Sequence, residues 1–285
     1  MKKIILLLCL LSAVLSGQEV TVQRLSFDSS PEGKKRYLAQ PYTWWGRGQF
    51  PVKSDEKGEI ITLTNNRTRY VFFLFGKAAK DGSWHPVIGM LKPSKANWAT
   101  GGFLNFSSGK ISMKKCAVKV TETEKGGFTL NFTAPGYQAS CRIELKKDDD
   151  RLYVLFDTPT NTMVEFTTYP SSYGGSYSRE KALRKRYAVT NTQRIESGNH
   201  LPLNKKEKFV FLADSYFDPA QNRGEGPCGI IFDLRKYSGW VSVQNYACIL
   251  RFNGKGKMPF ILFDFKGVSN AEGEKYMKEL PITFL

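Results

Sequence analysis

The chain has 285 residues, 41% of them hydrophobic, and its 42 lysines and arginines exceed its 26 aspartates and glutamates by +16 formal charges. A chain of this length can build a hydrophobic core without cross-links, so its fold need not depend on disulfides. The positive charge favours a polyanionic partner, since it raises the local concentration of polyanions.

The N-terminus has two lysines, then the apolar run Ile4–Leu11, then small residues, an order typical of a secretory signal peptide. The run is too short to span a membrane as a helix in the mature protein. Gln18 stands where a lipoprotein would carry its acylated cysteine. We therefore predict a signal peptide over residues 1–17, cleaved near Ser16 or Gly17, and export to the periplasm or the extracellular space without a lipid anchor.

Strand patterns follow this leader directly. Glu19–Phe27 alternates between apolar and polar residues. Glu59–Thr64 and Tyr70–Phe75 are predicted to form a hairpin, because Asn65 and Asn66 between them accept turn conformations. Two further strands are predicted before the middle of the chain, at Trp84–Leu91 and Gly101–Phe106.

The clearest regular region is an antiparallel meander in the middle of the chain. Its strand patterns are separated by the turn-forming stretches Gly126–Gly127, Pro135–Gly136 and Asp148–Asp150. Met163–Tyr169 continues the pattern, and the small, aromatic-rich loop Tyr169–Tyr177 then interrupts it. The predicted strands of the meander are Ile111–Thr121, Phe128–Thr133, Gln138–Leu145 and Leu152–Phe156.

The C-terminal part combines core strands with two helix signals. Phe209–Ala213 and Gly229–Phe232 are too apolar for edge strands, so we predict that they are neighbours in the core. Ser178–Tyr187 is a run of helix formers that begins with an N-cap residue. Ser269 and Glu272 have capping-box spacing before a short terminal helix. Two further strands are predicted between the second core strand and the terminal helix, at Trp240–Phe252 and Met258–Phe265.

Closely spaced strands, frequent turns and little helix predict an all-β fold. A mature chain of about 268 residues suits a large antiparallel two-sheet β-sandwich, jelly-roll or super-sandwich-like, with one or two short helices. No stretch has the composition of a linker, so residues 18–285 are predicted to form one domain, and two packed β-domains that meet near Tyr169–Ser178 are the alternative. This architecture resembles the large β-sandwiches of carbohydrate-active proteins, including the galactose-mutarotase-like type, but the sequence matches none of their catalytic motifs.

Four cysteines remain after the predicted cleavage, and an even count in an exported chain permits two disulfides. If Cys116 and Cys141 lie on the first and third strands of the meander, roughly 9.5 Å separates them, which is beyond disulfide reach. Cys228 and Cys248 flank a tight connection, so we predict that these two pair. Buried free thiols are the alternative.

A polar, glycine-containing loop joins the two apolar core strands, and connections of this length are often functional. It carries Asp214, Asp218, Asn222, Arg223 and Glu225. One hypothesis is a calcium site formed by Asp214, Asp218 and Glu225. A second is a clamp in which Arg223 binds a carboxylate or sulfate while Glu225 or Asp218 transfers protons. A third is that the arginine and the carboxylates only neutralise each other.

Aromatic side chains concentrate in segments that are rich in glycine, serine and proline, where they have less reason to be core. Flat rings beside amide and guanidinium donors suit a sugar, whose CH groups stack on the ring while its hydroxyls form hydrogen bonds. Together with the polar loop, the predicted ligand-binding residues are Trp44, Trp45, Arg47, Trp98, Tyr173, Tyr177, Arg179, Asp218, Asn222 and Arg223.

Common catalytic motifs are missing from the sequence. The histidines, His85 and His200, have no HExxH or CxxC context for zinc, and neither a GxSxG elbow nor a phosphate loop occurs. If the protein is an enzyme, its candidate catalytic residues are His200, Tyr173, Arg223 and Glu225, because a uronate lyase needs a cation for the carboxylate and a Tyr or His base. No cofactor is predicted apart from the calcium alternative.

The expected export, the basic charge and the aromatic loops favour a secreted glycan-binding protein whose partner is an acidic polysaccharide and not nucleic acid. One alternative is a polysaccharide-degrading enzyme, either a uronate lyase or a glycoside hydrolase. The other is a non-catalytic envelope or assembly protein. The charge by itself is also explained by a solubilising surface.

Overall fold

The computed structural model describes residues 20–41, 52–78, 84–94, 97–99, 101–171 and 185–281. Within these ranges the chain is antiparallel β-structure with two short α-helices, which confirms the predicted all-β class. The helices are α1 (Pro31–Leu38) and α2 (Asn270–Glu279), and short 3-10 helices occupy Met113–Lys115 and Pro219–Gln221. The strands are β1 (Thr21–Asp28), β2 (Glu56–Thr64), β3 (Arg69–Ala78), β4 (Trp84–Lys92), β5 (Leu104–Ser108), β6 (Ile111–Ser112), β7 (Ala117–Thr123), β8 (Gly127–Ala134), β9 (Tyr137–Leu145), β10 (Leu152–Thr168), β11 (Arg186–Val189), β12 (Arg194–Glu196), β13 (His200–Leu203), β14 (Phe209–Asp214), β15 (Cys228–Phe232), β16 (Ser238–Val243) and β17 (Cys248–Asp264).

The predicted hairpin and meander are both confirmed. β2 pairs with β3 around the Asn65 turn, and β7, β8, β9 and β10 pair in sequence order. In β9 the side chains alternate, so that Cys141 and Ile143 are buried while Arg142 is exposed. β14 and β15 are also neighbours, with Phe211 opposite Gly229, as their apolar composition predicted.

Two long strands, β10 and β17, belong to both layers of the fold: one layer contains β5 and β16, and the other contains β8, β9, β14 and β15. They pair with each other on both sides of a register shift between Thr158 and Thr162. Before the shift β10 also pairs with β9, and after it with β5. β17 likewise pairs with β16 through its first half and with β15 through its second half. The sequence predicted a separate strand on either side of the shift. The structure has one continuous strand in each case, because an irregular ladder bends a strand without ending it.

The two layers face each other across one large core. The rings of Phe72 in β3 and Phe128 in β8 have centroids 5.0 Å apart. Phe106 of β5 lies 4.8 Å from Phe132 of β8 and 5.3 Å from Phe156 of β10, again centroid to centroid. The strands therefore form one continuous hydrogen-bonded network that folds over itself into a two-layer sandwich.

Helix α1 covers the outer face of β1 and β3. The Tyr37 ring packs 4.9 Å from Phe27 and 5.9 Å from Phe73. This helix was not predicted, since its other side chains are mostly polar and give no apolar stripe. The available signals were Ser30, whose side chain caps the helix, and Pro31 in its first turn.

Helix α2 covers the outer face of the other layer, where Met277 is fully buried with Phe211 and Phe263. It begins at the predicted capping box, in which the Ser269 side chain accepts from the Glu272 amide and the Glu272 carboxylate accepts from the Ser269 amide. The predicted terminal helix is therefore confirmed together with its cap.

Several predictions fall wholly or partly outside the described residues. The signal peptide at 1–17 lies outside them, as does most of the predicted helix Ser178–Tyr187. Its last two residues, Arg186 and Tyr187, belong to β11, which pairs with β14, so that end of the prediction is wrong.

In the part of the chain that the structure describes, no helix is both long and apolar enough to cross a membrane.

The predicted disulfide between Cys228 and Cys248 is not formed. Both are buried free thiols, as are Cys116 and Cys141. The two cysteines are nevertheless near one another, as predicted: Cys228 Sγ lies 3.3 Å from Thr168 Oγ1, and Thr168 is the ladder partner of Cys248. Burial raises the pKa of Cys248 to about 12 and also raises that of Cys228, which keeps both protonated at neutral pH.

Candidate functional site

A groove on the outer face of the sandwich combines apolar, aromatic and charged side chains. Across its floor, Glu144 of β9 lies beside Tyr153 of β10, followed by Ile261 of β17 and Ile231 of β15. Neighbouring strands are about 4.8 Å apart, so this row spans about 14 Å. Leu280, which follows α2, also lines the groove. The cavity volume is about 490 Å³, within the range of small-molecule binding sites.

Charged side chains surround this floor. The cations are Arg142, Lys146, Lys147 and Arg151, and the anions are Glu144 and Asp149. Arg151 holds Asp149 with two close contacts, 2.7 Å from Nε to Oδ1 and 2.6 Å from Nη2 to Oδ2. Burial opposes ionisation of Asp149, yet the hydrogen bonds from Arg151 and Tyr153 lower its pKa overall. Asp149 thus neutralises Arg151, and the lysines leave the groove positive.

The aromatic ring in the groove has a cation beside its face. Lys146 Nζ lies 3.8 Å from the centroid of the Tyr153 ring, a cation–π contact. The Tyr153 hydroxyl donates a 2.7 Å hydrogen bond to Asp149 Oδ2, which fixes the orientation of the ring. An anionic substituent on a ligand in the groove would therefore meet a positive charge next to the ring.

Glu144 carries a carboxylate oxygen that is held by an ion pair and by no hydrogen bond. Its Oε1 is buried and has no hydrogen-bond partner among the described residues, although Arg142 Nε lies 3.5 Å away. The side chains that line the groove include four cations and two anions, which suits a negatively charged ligand.

The polar loop predicted to carry a site is folded largely on itself. Asp214 is fully buried in an ion pair with Arg186, with 3.3 Å between Oδ2 and Nε. Asp218 caps the 3-10 helix that follows it and pairs with Arg223 Nη2 at 3.2 Å. Asn222 ends that helix in the left-handed conformation, with φ of 53°. Asp218 and Arg223 therefore neutralise each other, and Arg186 of the neighbouring strand neutralises Asp214.

Among the described residues, this arrangement does not assemble the ligands of the calcium hypothesis. The carboxylates of Asp214 and Asp218 are already engaged by Arg186 and Arg223. Within the described ranges, Asp214, Asp218 and Glu225 are not gathered around one point, and no group of three His, Cys, Asp or Glu side chains is placed to hold a metal ion.

A polar cluster that the sequence did not predict lies beside this loop. Asp264, at the end of β17, accepts hydrogen bonds of 3.0 Å from Ser94 Oγ and from Asn97 Nδ2. Asn97 Oδ1 in turn accepts a 2.9 Å hydrogen bond from the amide of Ser171, and Glu225 N donates to Ser171 O at 2.8 Å. Burial raises the pKa of Asp264 to about 6 despite the bonds from Asn97 and Ser94, and the charge of Glu225 adds to the rise.

Only one of the predicted sugar-binding aromatic residues lies within the described ranges. Trp98 is described, and the prediction for it is wrong, because it is fully buried. Its indole Nε1 donates to Phe263 O at 3.0 Å and its ring packs edge-on against Phe166, so it holds the core together. The remaining predicted residues of this group lie outside the described ranges: Trp44, Trp45, Arg47, Tyr173, Tyr177 and Arg179.

The predicted catalytic set is not assembled by the described residues. His200 is exposed at the start of β13, opposite Ser242 of β16. Within the described chain, no hydrogen bond or ion pair joins it to Arg223 or Glu225. The fourth member, Tyr173, lies outside the described ranges. His85 is on β4, opposite Lys77.

The groove residues were missed because they alternate with core residues. Arg142, Glu144 and Tyr153 occupy the outward positions of β9 and β10, where charge is expected on any solvated face. The one available signal was the density of charge between Arg142 and Arg151 around a single tyrosine.

Comparisons with solved structures include distant matches to carbohydrate-active enzymes. No protein-family model and no curated protein matches the chain. An α-galactosidase from Lactobacillus brevis is 10% identical with a TM-score of 0.36, and a 4-α-glucanotransferase from Thermococcus litoralis is 11% identical with a TM-score of 0.30. A GH36 α-galactosidase from Geobacillus stearothermophilus is 10% identical with a TM-score of 0.32.

Each match covers 72% of this chain and between 37% and 39% of the other structure. The chain therefore spans well under half the length of the structures that it matches.

Proposed function

We propose that the protein is an exported, non-catalytic binder of an acidic polysaccharide, and that sugar residues lie in the outer-face groove. The observation that carries this proposal is the row of Glu144, Tyr153 and Ile261 with cations on its rim. Apolar and aromatic side chains contact the CH faces of a sugar, Glu144 accepts from a hydroxyl, and Lys146 and Lys147 attract a carboxylate or sulfate. The predicted signal peptide supports the choice of polyanion.

The first experiment is affinity electrophoresis of the protein through gels that contain a polyuronate, a sulfated polysaccharide or a neutral polysaccharide, at low and high salt. We expect one acidic polymer to retard the protein even at high salt. Attraction by surface charge alone is screened by salt, whereas contacts inside a groove are screened much less. Equal retardation by every polyanion, lost at high salt, would overturn the proposal.

A matched pair of variants separates the groove from the general charge. Lys146→Ala with Lys147→Ala removes two groove cations, and Lys114→Ala with Lys115→Ala removes two exposed cations that do not line the groove. Exposed ionic contacts are worth about 0.2–1 kcal/mol each, so loss of two should make the groove variant bind roughly twofold to thirtyfold more weakly. The control should bind like the wild type, and equal losses in both variants would count against the groove.

A second candidate function is favoured by Asp264. A carboxyl group with a pKa of about 6 beside another carboxyl group, Glu225, has the property required of a general acid in glycoside hydrolysis. Incubation with the polymer that binds best should then release reducing ends, or unsaturated sugars if the reaction is a lyase reaction. Asp264→Asn should abolish that release without weakening retention in the gel. No product from the wild type would exclude this candidate.

A further inference from the structure

A second depression lies next to the groove, on the turn between β2 and β3. It has a volume of about 410 Å³ and is lined by residues 64–69 and by Lys92. Three of its side chains are cations, Arg67, Arg69 and Lys92. Among the described residues none of the three forms an ion pair, so their charge is not neutralised locally.

Hydrogen bonds hold the two depressions in a fixed relation. Asn65 Nδ2 donates to Lys146 O and to Asp149 O, each at 2.6 Å, and Asn66 Nδ2 donates to the Asp148 carboxylate. The Tyr70 hydroxyl donates to Asp150 O at 2.6 Å. The turn that carries Arg67 is thereby attached to the turn between β9 and β10, which forms part of the groove wall.

An exposed aromatic ring lies beside the groove. Tyr276 of α2 is 42% exposed, one of few large hydrophobic side chains on the described surface. The carbonyl oxygen of Tyr276 accepts a 3.0 Å hydrogen bond from the amide of Leu280, so Tyr276 lies one helical turn before a residue that lines the groove.

We infer that the groove, Tyr276 and the second depression form one extended surface that binds successive segments of a single acidic polysaccharide chain. This rests on the proposed function and makes it specific, because the ligand is then a polymer bound along its length and not a free sugar or a chain end. Binding at one depression raises the effective concentration of the rest of the ligand chain at the other. A chain long enough to reach both sites therefore binds more tightly than a short one.

The test is the affinity of a size series of oligomers, from dimer to dodecamer, of the polymer that retards the protein. We expect affinity to rise with length and then to level off when the chain reaches both depressions. Arg67→Ala with Arg69→Ala should weaken binding of the long oligomers by about threefold to tenfold. The same variant should leave the short oligomers, which fill only the groove, unaffected.

Tyr276→Ala should behave as the arginine variant does, while Lys114→Ala with Lys115→Ala should change neither group of oligomers. Affinity that is independent of length, or a loss that is equal for short and long oligomers, would overturn the extended surface and leave the groove proposal standing. Failure of the wild type to bind any oligomer or polymer would overturn both. Competition by duplex DNA as effective as that of the polysaccharide at high salt would also overturn a surface shaped for a glycan.

Discussion

At the scale of single residues, the environment of Asp264 differs clearly from that of a free carboxyl group. Its two oxygens accept from Ser94 and Asn97, and burial nevertheless raises its pKa to about 6. An unfolded aspartate has a pKa of about 3.9, so the folded state binds more protons than the unfolded state between these values. Stability from this residue is therefore complete below about pH 4 and is lost as the pH rises through 6.

Asp264→Asn should stabilise the protein at neutral pH, because the amide has a similar shape and carries no charge to bury. The gain in the free energy of unfolding should grow from near zero at pH 4 to the order of 1–3 kcal/mol at pH 7.5. Urea unfolding of both proteins over this pH range measures the difference.

Asp233→Asn is a control with the opposite sign, since the hydrogen bonds from Arg235 lower the pKa of Asp233. It should destabilise the protein at neutral pH and have no effect in acid. A difference between Asp264→Asn and the wild type that stays constant with pH would show that the charge of Asp264 is not disfavoured in the folded state.

At the scale of helices and strands, the elements with a local signal were predictable from the sequence. Alternation identified the meander strands, and the capping box of Ser269 and Glu272 identified α2. The groove could not be predicted, because it needs the register between β10 and β17, which sets Tyr153 opposite Ile261 across more than a hundred residues of chain. Trp98 was misassigned for a related reason: its polar neighbours in sequence lie against the core in the fold.

Helix α2 is the element that links stability to the proposed surface, since Tyr276 lies on it and Leu280 follows it. Ser269→Ala removes the cap and should lower the free energy of unfolding by about 1 kcal/mol. It should also weaken binding of long oligomers, because the helix that positions both side chains begins to fray. Urea unfolding and oligomer affinity measure the two effects.

Ser30→Ala is the matched control, because it removes the corresponding cap from α1, which contributes no residue to either depression. We expect a similar loss of stability with unchanged binding. Restoration of both properties by Ser269→Thr would confirm that the cap is responsible. Equal loss of binding in the two cap variants would mean that general destabilisation, and not the position of α2, limits affinity.

At the scale of the whole molecule, the paths of β10 and β17 determine how the protein can unfold. Both strands pair in each layer, so neither layer can lose its ladder without disturbing the strands of the other. The core is also shared, since Phe106 packs against Phe132 and Phe156 of the opposite layer. From these connections we expect one cooperative unfolding unit, and the single domain expected from the absence of a linker stays a prediction.

The four buried thiols can report on this cooperativity. Cys116 and Cys141 belong to the meander region, and Cys228 and Cys248 lie on β15 and β17. Without reductant, all four should resist a thiol reagent in the native protein and become labelled at the same urea concentration, because each thiol is exposed only when the shared core opens. Peptide mass spectrometry assigns the label to each cysteine. Two separate midpoints, one for each pair, would show that the layers unfold independently, and a Cys228 or Cys248 that reacts only after reduction would restore the disulfide between them.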